Sequence, residues 1–292
     1  MTILNVGSVN IDHVYRVARH PKPGETISDL GHAVHLGGKG ANMSLAAAMA
    51  GADVRHVGCI GAEGTWCRDR LATEGIDVSA LVEVDEATGH AVIMVDEAGE
   101  NIIVIHSGAN LALTEAQIRN AIARCQPGDW LLLQNETNLV PFAAQTAKKA
   151  GMKVAYAAAP FDAAAAAKVL PHTDLLAVNE VEATQLAEHL GKPLADLPVP
   201  EILITLGAKG ALYREGNTEH RYDAYPVAVV DTTGAGDTYL GYFLASLANG
   251  APIRRAMQRA NAASALQIMK PGAADAIPTS REVDLLLEQT DP

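Results

Sequence analysis

Val227-Ala-Val-Val-Asp-Thr-Thr-Gly-Ala-Gly-Asp237 is the stretch from which the fold is read most directly, because an apolar run passes through a turn of small residues into a helical pattern. It predicts a strand over Val227–Val230 and a helix that opens at Gly234, the strand–turn–helix unit of an α/β protein. The first N–H groups of a helix lack partners within it, and small residues let a ligand approach them closely. The amides of Gly234, Ala235 and Gly236 are therefore predicted to bind an anion.

Asp237 lies in the first turn of this predicted helix. There the helix dipole favours an ionised carboxylate. A carboxylate beside an anion site is also what is needed to remove a hydroxyl proton in front of a phosphoryl group. Asp237 is therefore a candidate general base. The residues leave one alternative open, a tight turn followed by a helix that Asp237 caps.

Outside this stretch, short runs of Val, Ile and Leu alternate with Ala-rich helical patterns. Such alternation predicts βαβ units around a buried parallel sheet, with right-handed connections. The expected fold is α/β, a three-layer α/β/α body with a central, mostly parallel sheet. The predicted strands are Ile3–Val9, Val54–Ile60, Trp130–Gln134, Val154–Ala159, Leu175–Val178 and Ile202–Leu206, and the predicted helices are Ala41–Ala50, Glu115–Ala123, Ala143–Ala150 and Val181–Leu190.

Two regions lack this rhythm. Ile11–Leu36 alternates without a helix, and His90–Ile105 has the pattern of a β-hairpin. They are predicted to pair as one small antiparallel sheet that projects from the body; the alternative is that they are edge hairpins of the main sheet. A second meander is predicted from Ala211 to Val230. Because no repeat or Pro/Ser-rich linker interrupts the chain, residues 1–292 are expected to form a single domain.

The composition excludes several classes of partner. The 292 residues include 22 Lys and Arg against 34 Asp and Glu, a formal net charge of −12, and 49% are hydrophobic. This apolar content is that of a globular chain. Nucleic acids and anionic membranes require basic patches, so neither is an expected partner. An anionic nucleotide can still bind, through backbone N–H groups, a few placed cations and a metal ion.

The cysteines indicate a reducing compartment. Cys59, Cys67 and Cys125 are isolated, so neither a zinc ribbon nor a disulfide framework is predicted. The first residues lack the features of a secretory signal, and the Ala-rich stretch Ala155–Leu170 is interrupted by polar residues and cannot span a bilayer. A cytoplasmic protein is expected.

A second glycine-rich loop, Gly37-Gly-Lys-Gly-Ala-Asn42, opens a helical pattern. It is not a Walker A loop, because Gly40 follows Lys39 where Ser or Thr is needed. Lys39 and Asn42 are donors that could bind a polyhydroxylated substrate. A tight turn with a surface lysine is the alternative left open.

The two glycine-rich segments together resemble the defining motifs of the ribokinase (PfkB) family of carbohydrate kinases. The resemblance covers almost the whole chain in one order. Its further segments are Asn10-Ile-Asp12, Gly99–Asn110, Asn179-Glu-Val-Glu182, Thr205-Leu-Gly-Ala-Lys-Gly210 and Lys270-Pro-Gly272.

The resemblance implies an ATP-dependent kinase that transfers the γ-phosphoryl group to a primary hydroxyl of a sugar, with D-ribose and its 5-phosphate as the first expectation. Asp237 would be the general base, and the amides of Gly234, Ala235 and Gly236 would form the anion hole. The sugar would be held by Asp12, Gly38, Lys39, Asn42 and Glu136. Ionised carboxylates only accept hydrogen bonds, which suits the hydroxyls of a neutral sugar.

On the nucleotide side, Asn179 and Glu182 match the family motif that positions Mg²⁺. Their spacing is equally that of a helix N-cap with a capping-box glutamate. Asp231 and Thr233 match the place of a monovalent cation such as K⁺, although Ala276 lacks the side-chain oxygen often found in the matching loop. The residues implied to lie beside the nucleotide are Thr205, Gly207, Gly210 and, near the adenine or its ribose, Asn261.

Residues of about 11–36 and 88–106 correspond to the family's small β lid, which closes over the sugar and excludes water. Paired lids often form a dimer interface, so a homodimer is implied. His32 and His35 lie in the first of these segments, but three residues apart on a strand they face opposite ways, so no metal site is predicted from them.

Tyr242 departs from the family, in which the fifth residue after the catalytic aspartate is usually small. It is expected to change helix packing or the pocket wall, and it leaves a sugar other than ribose open. A nucleoside kinase is the neighbouring alternative, although Tyr15 is the only aromatic residue offered by the lid region. A non-catalytic sugar or nucleotide sensor is the alternative from another class, and Asp237 argues against it because a sensor needs no general base.

Overall fold

The computed structural model describes residues 1–290 and contains two β-sheets and nine α-helices in that range. The strands are β1 (Thr2–Val6), β2 (Asn10–Arg16), β3 (Gly31–Gly37), β4 (Asp53–Ile60), β5 (Asp77–Glu83), β6 (Gly89–Val95), β7 (Asn101–His106), β8 (Trp130–Leu133), β9 (Lys153–Ala157), β10 (Leu175–Asn179), β11 (Glu201–Thr205), β12 (Ala211–Glu215) and β13 (Thr218–Tyr222). The helices are α1 (Lys39–Met49), α2 (Thr65–Thr73), α3 (Glu115–Ile122), α4 (Val140–Lys149), α5 (Ala163–Val169), α6 (Glu180–Leu190), α7 (Ala235–Ala248), α8 (Ile253–Gln267) and α9 (Ser280–Thr290).

The large sheet has the strand order β13-β12-β11-β10-β9-β8-β1-β4-β5. Neighbours from β11 to β5 run parallel, and β12 and β13 continue the edge as antiparallel strands. The six apolar runs predicted as strands all lie in this sheet. The sequence analysis missed β5, in which a single residue, Leu81, is fully shielded. An edge strand of this kind lacks the continuous apolar run of a central strand.

Each face of the large sheet is covered by helices, so the predicted three-layer α/β/α body is confirmed. Alternate residues of β1 point to opposite faces: Ile3 belongs to the core with α1, α7 and α8, whereas Leu4 belongs to the core with α3 and α4. No helix among residues 1–290 combines the length and the apolar character needed to cross a bilayer.

The two extended regions form a separate four-stranded sheet of order β3-β2-β6-β7. The alternative in which they are edge hairpins of the large sheet is therefore wrong. β2–β3 and β6–β7 are antiparallel as predicted, whereas the central β2–β6 pairing is parallel. A parallel pairing is possible here because a long stretch of chain connects the two hairpins.

The predicted strand Val227–Val230 is wrong. The meander from Ala211 ends with β13 at Tyr222, and the chain then runs without regular structure until the turn before α7. Val229 and Val230 are about 60% exposed, at 59% and 61%. These apolar side chains therefore lie at the protein surface and not inside a sheet.

Candidate active site

The loop before α7 has the geometry that its small residues predict. Gly234 is the N-cap and has φ = 74°, in the left-handed region where glycine avoids the strain of a Cβ atom. The Ala235 N–H donates to the Thr232 carbonyl at 3.2 Å. Within residues 1–290 the Gly234 and Gly236 N–H groups have no protein acceptor, as is usual at the start of a helix. They are available to an anion.

Asp237 is buried in the first turn of α7, where it meets two groups from the glycine-rich loop. Asn42 Nδ2 donates to Asp237 Oδ2 at 3.0 Å, and Lys39 Nζ lies 3.9 Å from Asp237 Oδ1. The two glycine-rich segments thus meet at one carboxylate. Asn42 Oδ1 is buried and keeps no partner among the described residues, which leaves it available to a ligand hydroxyl.

The pKa of Asp237 shifts in the direction opposite to the one predicted from its place in the first turn. Burial raises the pKa, because a charged carboxylate loses its hydration. The Lys39 ammonium and the Asn42 amide oppose this rise. The Lys39 pKa is itself raised, chiefly by Asp237. The ionised form of Asp237 therefore depends on these two neighbours as well as on the helix dipole.

Glu136 follows β8 and holds the start of α1. One carboxylate oxygen, Oε2, accepts the Lys39 N–H at 2.9 Å and the hydroxyl of Ser8. Burial raises the Glu136 pKa, and the bonds from Ser8 and Lys39 counteract it. Glu136, which is predicted to bind the sugar, thus also caps α1. The sequence analysis did not predict this second role.

Asp12, on β2 of the small sheet, lies near Glu136. Burial and the negative charge of Glu136 raise the Asp12 pKa to about 6, and His35 lowers it. A Cβ atom on Gly37 would lie 1.9 Å from Asp12 Oδ2, so the glycine before the loop leaves the space that this carboxylate occupies. Gly38, the N-cap of α1, lies against the backbone of Ser8 and Asn10.

Two cavities meet at the start of α7. One cavity, of about 360 Å³, is lined by residues from distant parts of the sequence. They include five predicted site residues, Lys39, Asn179, Glu182, Gly234 and Asp237. The other, of about 550 Å³, is lined by Gly210 and Asn261 and by the irregular segment 224–229. The residues shared by both cavities are Thr205, Gly207, Thr232, Ala235, Gly236 and Tyr239.

Asn179 and Glu182 form a complete capping box at the start of α6. Asn179 Oδ1 accepts the Glu182 N–H, and Glu182 Oε2 accepts the Asn179 N–H, both at 2.8 Å. The structural role left open for this pair is therefore confirmed. Glu182 lines the 360 Å³ cavity, and its Oε1 has no hydrogen-bond partner among residues 1–290. Burial raises the Glu182 pKa.

Asp231 and Thr233 line neither of these cavities. Asp231 accepts the Thr233 N–H at 2.9 Å and hydroxyl at 2.7 Å, and the Gly272 N–H at 2.9 Å. Burial acts to raise the Asp231 pKa, but these hydrogen bonds outweigh it and lower the pKa. The carboxylate thus joins the turn before α7 to the loop after α8.

Tyr242 is a packing residue and does not form a pocket wall. Tyr242 belongs to α7 and is fully buried, and its hydroxyl donates to the Pro278 carbonyl at 2.6 Å. His32 and His35 separate as expected for a strand: His32 stacks on Tyr15, whereas His35 contacts Asp275. Within residues 1–290 no three potential metal-binding side chains are grouped as ligands.

The sequence analysis missed Ser8, Tyr239 and the cavity wall 224–229. Ser8 gives no local signal because its role depends on Glu136, which lies 128 residues away. The wall has an apolar signal, Val227–Val230, which is also that of a strand. Only the lack of a pairing partner after β13 distinguishes the two.

Residues 2–280 match the model of the "pfkB family carbohydrate kinase". The chain belongs to this family. The predicted carbohydrate kinase is therefore confirmed. The family also accounts for the ordered set of motifs on which the sequence prediction depended.

Individual PfkB relatives are similar over their whole length. A ribokinase of Haemophilus influenzae is 37% identical over 302 residues, covering 98% of this chain and 98% of its own. The structure of Arabidopsis thaliana ribokinase complexed with ribose and ATP has a TM-score of 0.85 and 31% identity, and covers 98% of each chain. Ribokinase from Cryptococcus neoformans in complex with ADP has a TM-score of 0.85 and 33% identity, covering 98% of this chain and 99% of its own.

Proposed function

We propose that this protein is an ATP-dependent kinase that phosphorylates the primary hydroxyl of D-ribose to give ribose 5-phosphate. One observation carries the proposal: Asp237 lines the 360 Å³ cavity beside the Gly234 and Gly236 N–H groups, which have no acceptor among residues 1–290, and the 550 Å³ cavity adjoins it. A base and an anion site, with a cavity for the phosphoryl donor beside them, are parts that phosphoryl transfer to an alcohol requires. The similar ribokinases described above support ribose as the sugar and ATP as the donor.

The sugar is held between the body and the small sheet. Asp12 and Glu136 accept hydrogen bonds from its hydroxyl groups, and Lys39 and Asn42 complete the set with Gly38 as the backbone contact. Asp237 takes the proton from the terminal hydroxyl, and that oxygen attacks the γ-phosphorus while ADP leaves. Asn42 and Lys39 keep Asp237 ionised before the reaction, because both stabilise its charged form.

The donor nucleotide takes the 550 Å³ cavity. Its adenosine part lies between the apolar wall 224–229 and α8, where Asn261 is buried and keeps an amide hydrogen-bond donor without a partner among the described residues. Thr205, Gly207 and Gly210 line the same cavity. The phosphates point to the start of α7, where the N–H groups of Gly234 and Gly236, and of Ala235 on release from Thr232, stabilise the charge that develops during transfer.

The residues present fit a magnesium ion. Glu182 lines the cavity beside Gly234 and Gly236 and keeps one carboxylate oxygen without a partner among residues 1–290. Mg²⁺ needs only one or two protein carboxylates besides phosphate and water. When bound, the ion neutralises phosphate charge. Asn179 fixes the orientation of Glu182 through the capping box.

A monovalent cation near Asp231 fits less well. All three hydrogen bonds to this carboxylate come from protein N–H and O–H groups, and Ala276 adds no side-chain oxygen. We assign no step to such a cation.

The small sheet acts as a lid, formed by residues of about 11–36 and 88–106 on a single domain. It carries Asp12 over the site, and its closure over the sugar excludes water that would otherwise accept the phosphoryl group.

The lid also supports a homodimer. Every residue of β7, the edge strand of the small sheet, is exposed, including four consecutive apolar residues, Ile102–Ile105. A long apolar edge strand is a site of pairing unless another chain covers it. Val14, Ile93 and Ile103 are register partners and form an apolar row across three strands, on the same face as Asp12 and Ile105. We propose that a second copy covers this face. A cytoplasmic location is part of the same proposal, and the three free cysteines support it.

The test is ATP turnover on a panel of pentoses, hexoses and nucleosides, with Asp237→Asn as the control. We expect ribose to give the highest kcat/KM and the variant to lose about 10²–10⁴-fold in kcat. Turnover with nucleosides alone would make the protein a nucleoside kinase. Sugar binding without turnover would make it a sensor, and equal turnover by the variant would remove Asp237 from its role.

A further inference from the structure

Four fully buried polar side chains, Asn5, Ser44, His56 and Gln134, form one hydrogen-bonded group beneath the glycine-rich loop, which we term the polar joint. All four are 0% exposed, although a helix normally contacts a parallel sheet through apolar residues. None of them takes part in the chemistry proposed above. A buried polar group that loses its hydrogen-bond partner lowers the stability of the fold, so these four side chains depend on one another.

Asn5 is the centre of the joint. Its Nδ2 donates to the Gly40 carbonyl at 2.7 Å and to Ser44 Oγ at 2.8 Å, both on α1. Its Oδ1 accepts from Gln134 Nε2 at 3.0 Å, at the end of β8. Asn5 on β1 is therefore tied to the helix that begins with Lys39 and to the segment that leads into Glu136.

His56 completes the joint from the neighbouring strand. It pairs directly with Asn5 in the β1–β4 register, and its Nδ1 lies 2.8 Å from Ser44 Oγ. Because the Ser44 hydroxyl oxygen accepts from Asn5, its hydrogen is free to be donated to Nδ1, which requires a neutral imidazole. Burial lowers the His56 pKa to about 4, so the ring stays neutral near pH 7.

Close backbone contacts above the joint prevent the start of α1 from shifting toward the residues that follow β1. A Cβ atom on Gly40 would lie 2.4 Å from the Ser8 nitrogen, so the start of α1 rests directly on the chain that follows β1. Glu136 then bonds both Ser8 and the Lys39 N–H. The joint and the Glu136 cap both connect α1 to the ends of β1 and β8, and the joint also includes His56 of β4.

We propose that Asn5 is a positioning residue for the sugar: by joining Gln134 to the Gly40 carbonyl it sets the place of the Glu136 carboxylate relative to Lys39 and Asn42. This inference rests on the proposed function, in which Glu136 binds the sugar. The nucleotide cavity shares no residue with the joint. Loss of the joint therefore weakens sugar binding selectively.

The experiment compares Asn5→Leu and Gln134→Met, two near-isosteric apolar replacements, with Ser246→Ala. Ser246 is a matched control, because it is also buried and its hydroxyl bonds only the Tyr242 carbonyl within α7. We expect each joint variant to raise the KM for ribose about tenfold, the effect of losing roughly one hydrogen bond, with the KM for ATP changed less than about twofold. The control should leave both KM values unchanged.

The double variant Asn5→Leu/Glu136→Gln separates positioning from a general loss of structure. If Asn5 acts through Glu136, the double variant has the ribose KM of Glu136→Gln alone. Multiplied effects, equal changes in both KM values, or a lower melting temperature with unchanged KM values would each overturn the proposal. Should Asn5→Leu not fold, Gln134→Met gives the same comparison. Absence of sugar turnover by the parent protein would instead contradict the proposed function.

Discussion

Asn42 Nδ2 lies 3.0 Å from Asp237 Oδ2, a contact between residues 195 positions apart. It joins the first turn of α1 to the first turn of α7, two helices that pack closely against each other. Gly241 makes that packing possible, because a Cβ atom there would lie 2.5 Å from the Ala46 Cβ. The contact brings the two glycine-rich segments to one carboxylate.

Removing this contact should change the pH dependence of the reaction. Burial raises the Asp237 pKa and Asn42 opposes the rise, so Asn42→Leu raises it further. Because the base must be ionised, activity is then lost at a higher pH. We expect the acid limb of the kcat–pH profile to move up by about one pH unit, since a hydrogen bond to a charged group contributes roughly 1.5 kcal/mol. Thr238→Val is the control: Thr238 adjoins Asp237, and its buried hydroxyl has no partner among the described residues. An unmoved limb in Asn42→Leu would show that Asn42 does not act on the Asp237 pKa.

Asp12→Asn should stabilise the protein at neutral pH and not at acid pH. The Asp12 pKa is about 6 in the folded chain and about 3.8 without its surroundings, so the folded state binds the proton more tightly. The contribution of Asp12 to stability is therefore present at low pH and is lost as the pH rises from about 4 to 6. Replacement by a neutral amide should add about 1–3 kcal/mol to the free energy of unfolding at pH 7.5, and at most about 0.5 kcal/mol at pH 4.

Denaturant unfolding at the two pH values checks this, with exposed Asp29→Asn as the control. The same substitution should raise the KM for the sugar, because an amide cannot offer two acceptor oxygens. A stabilisation of equal size at both pH values would show that the charge of Asp12 is not its cause.

Two alanine substitutions in the anion hole should have different effects, one on the stability of the protein and the other on kcat. A Cβ atom on Gly236 has no atom within 4 Å, whereas one on Gly234 meets Ala273 Cβ and Gln267 Nε2 at 3.0 Å from a backbone with φ = 74°. Gly234→Ala should therefore lower stability by about 1–2 kcal/mol. Gly236→Ala should keep the melting temperature and lower kcat, because its methyl group enters the space in front of the amides. A stable and fully active Gly236→Ala enzyme would place the phosphoryl group elsewhere.

Ile103→Lys tests the proposed homodimer and should convert it to a monomer. Ile103 lies on the Asp12-bearing face of the lid and is 45% exposed, so a buried lysine there would lose its hydration in the interface. Val104→Lys, on the opposite face of the same strand, should leave the dimer intact. Light scattering coupled to size-exclusion chromatography distinguishes the two. A dimer that survives Ile103→Lys, or a parent protein that is already a monomer, would contradict the proposed interface.

Local patterns were sufficient to predict much of the fold and the chemistry. Apolar runs of four to seven residues between Ala-rich helices are local properties, and they indicated most of the large sheet. The loop before α7 was also predictable, because its backbone needs a left-handed residue at Gly234 and the helix start leaves N–H groups free. Val227–Val230 failed because an apolar run has the same pattern whether it enters a sheet or lines a cavity.

By itself the sequence determined most strands of the large sheet, the two glycine-rich turns and the candidate residues for accepting a proton or holding a phosphate, since each depends on neighbours along the chain. Only the tertiary structure decided that Glu136 caps α1, that Asn5 joins β8 to that helix, and that Asp237 meets Asn42. It also decided the direction of the Asp237 pKa shift. The physical reason is that burial and long-range contacts set the energy of a charge, and neither is written in the spacing of residues along one segment.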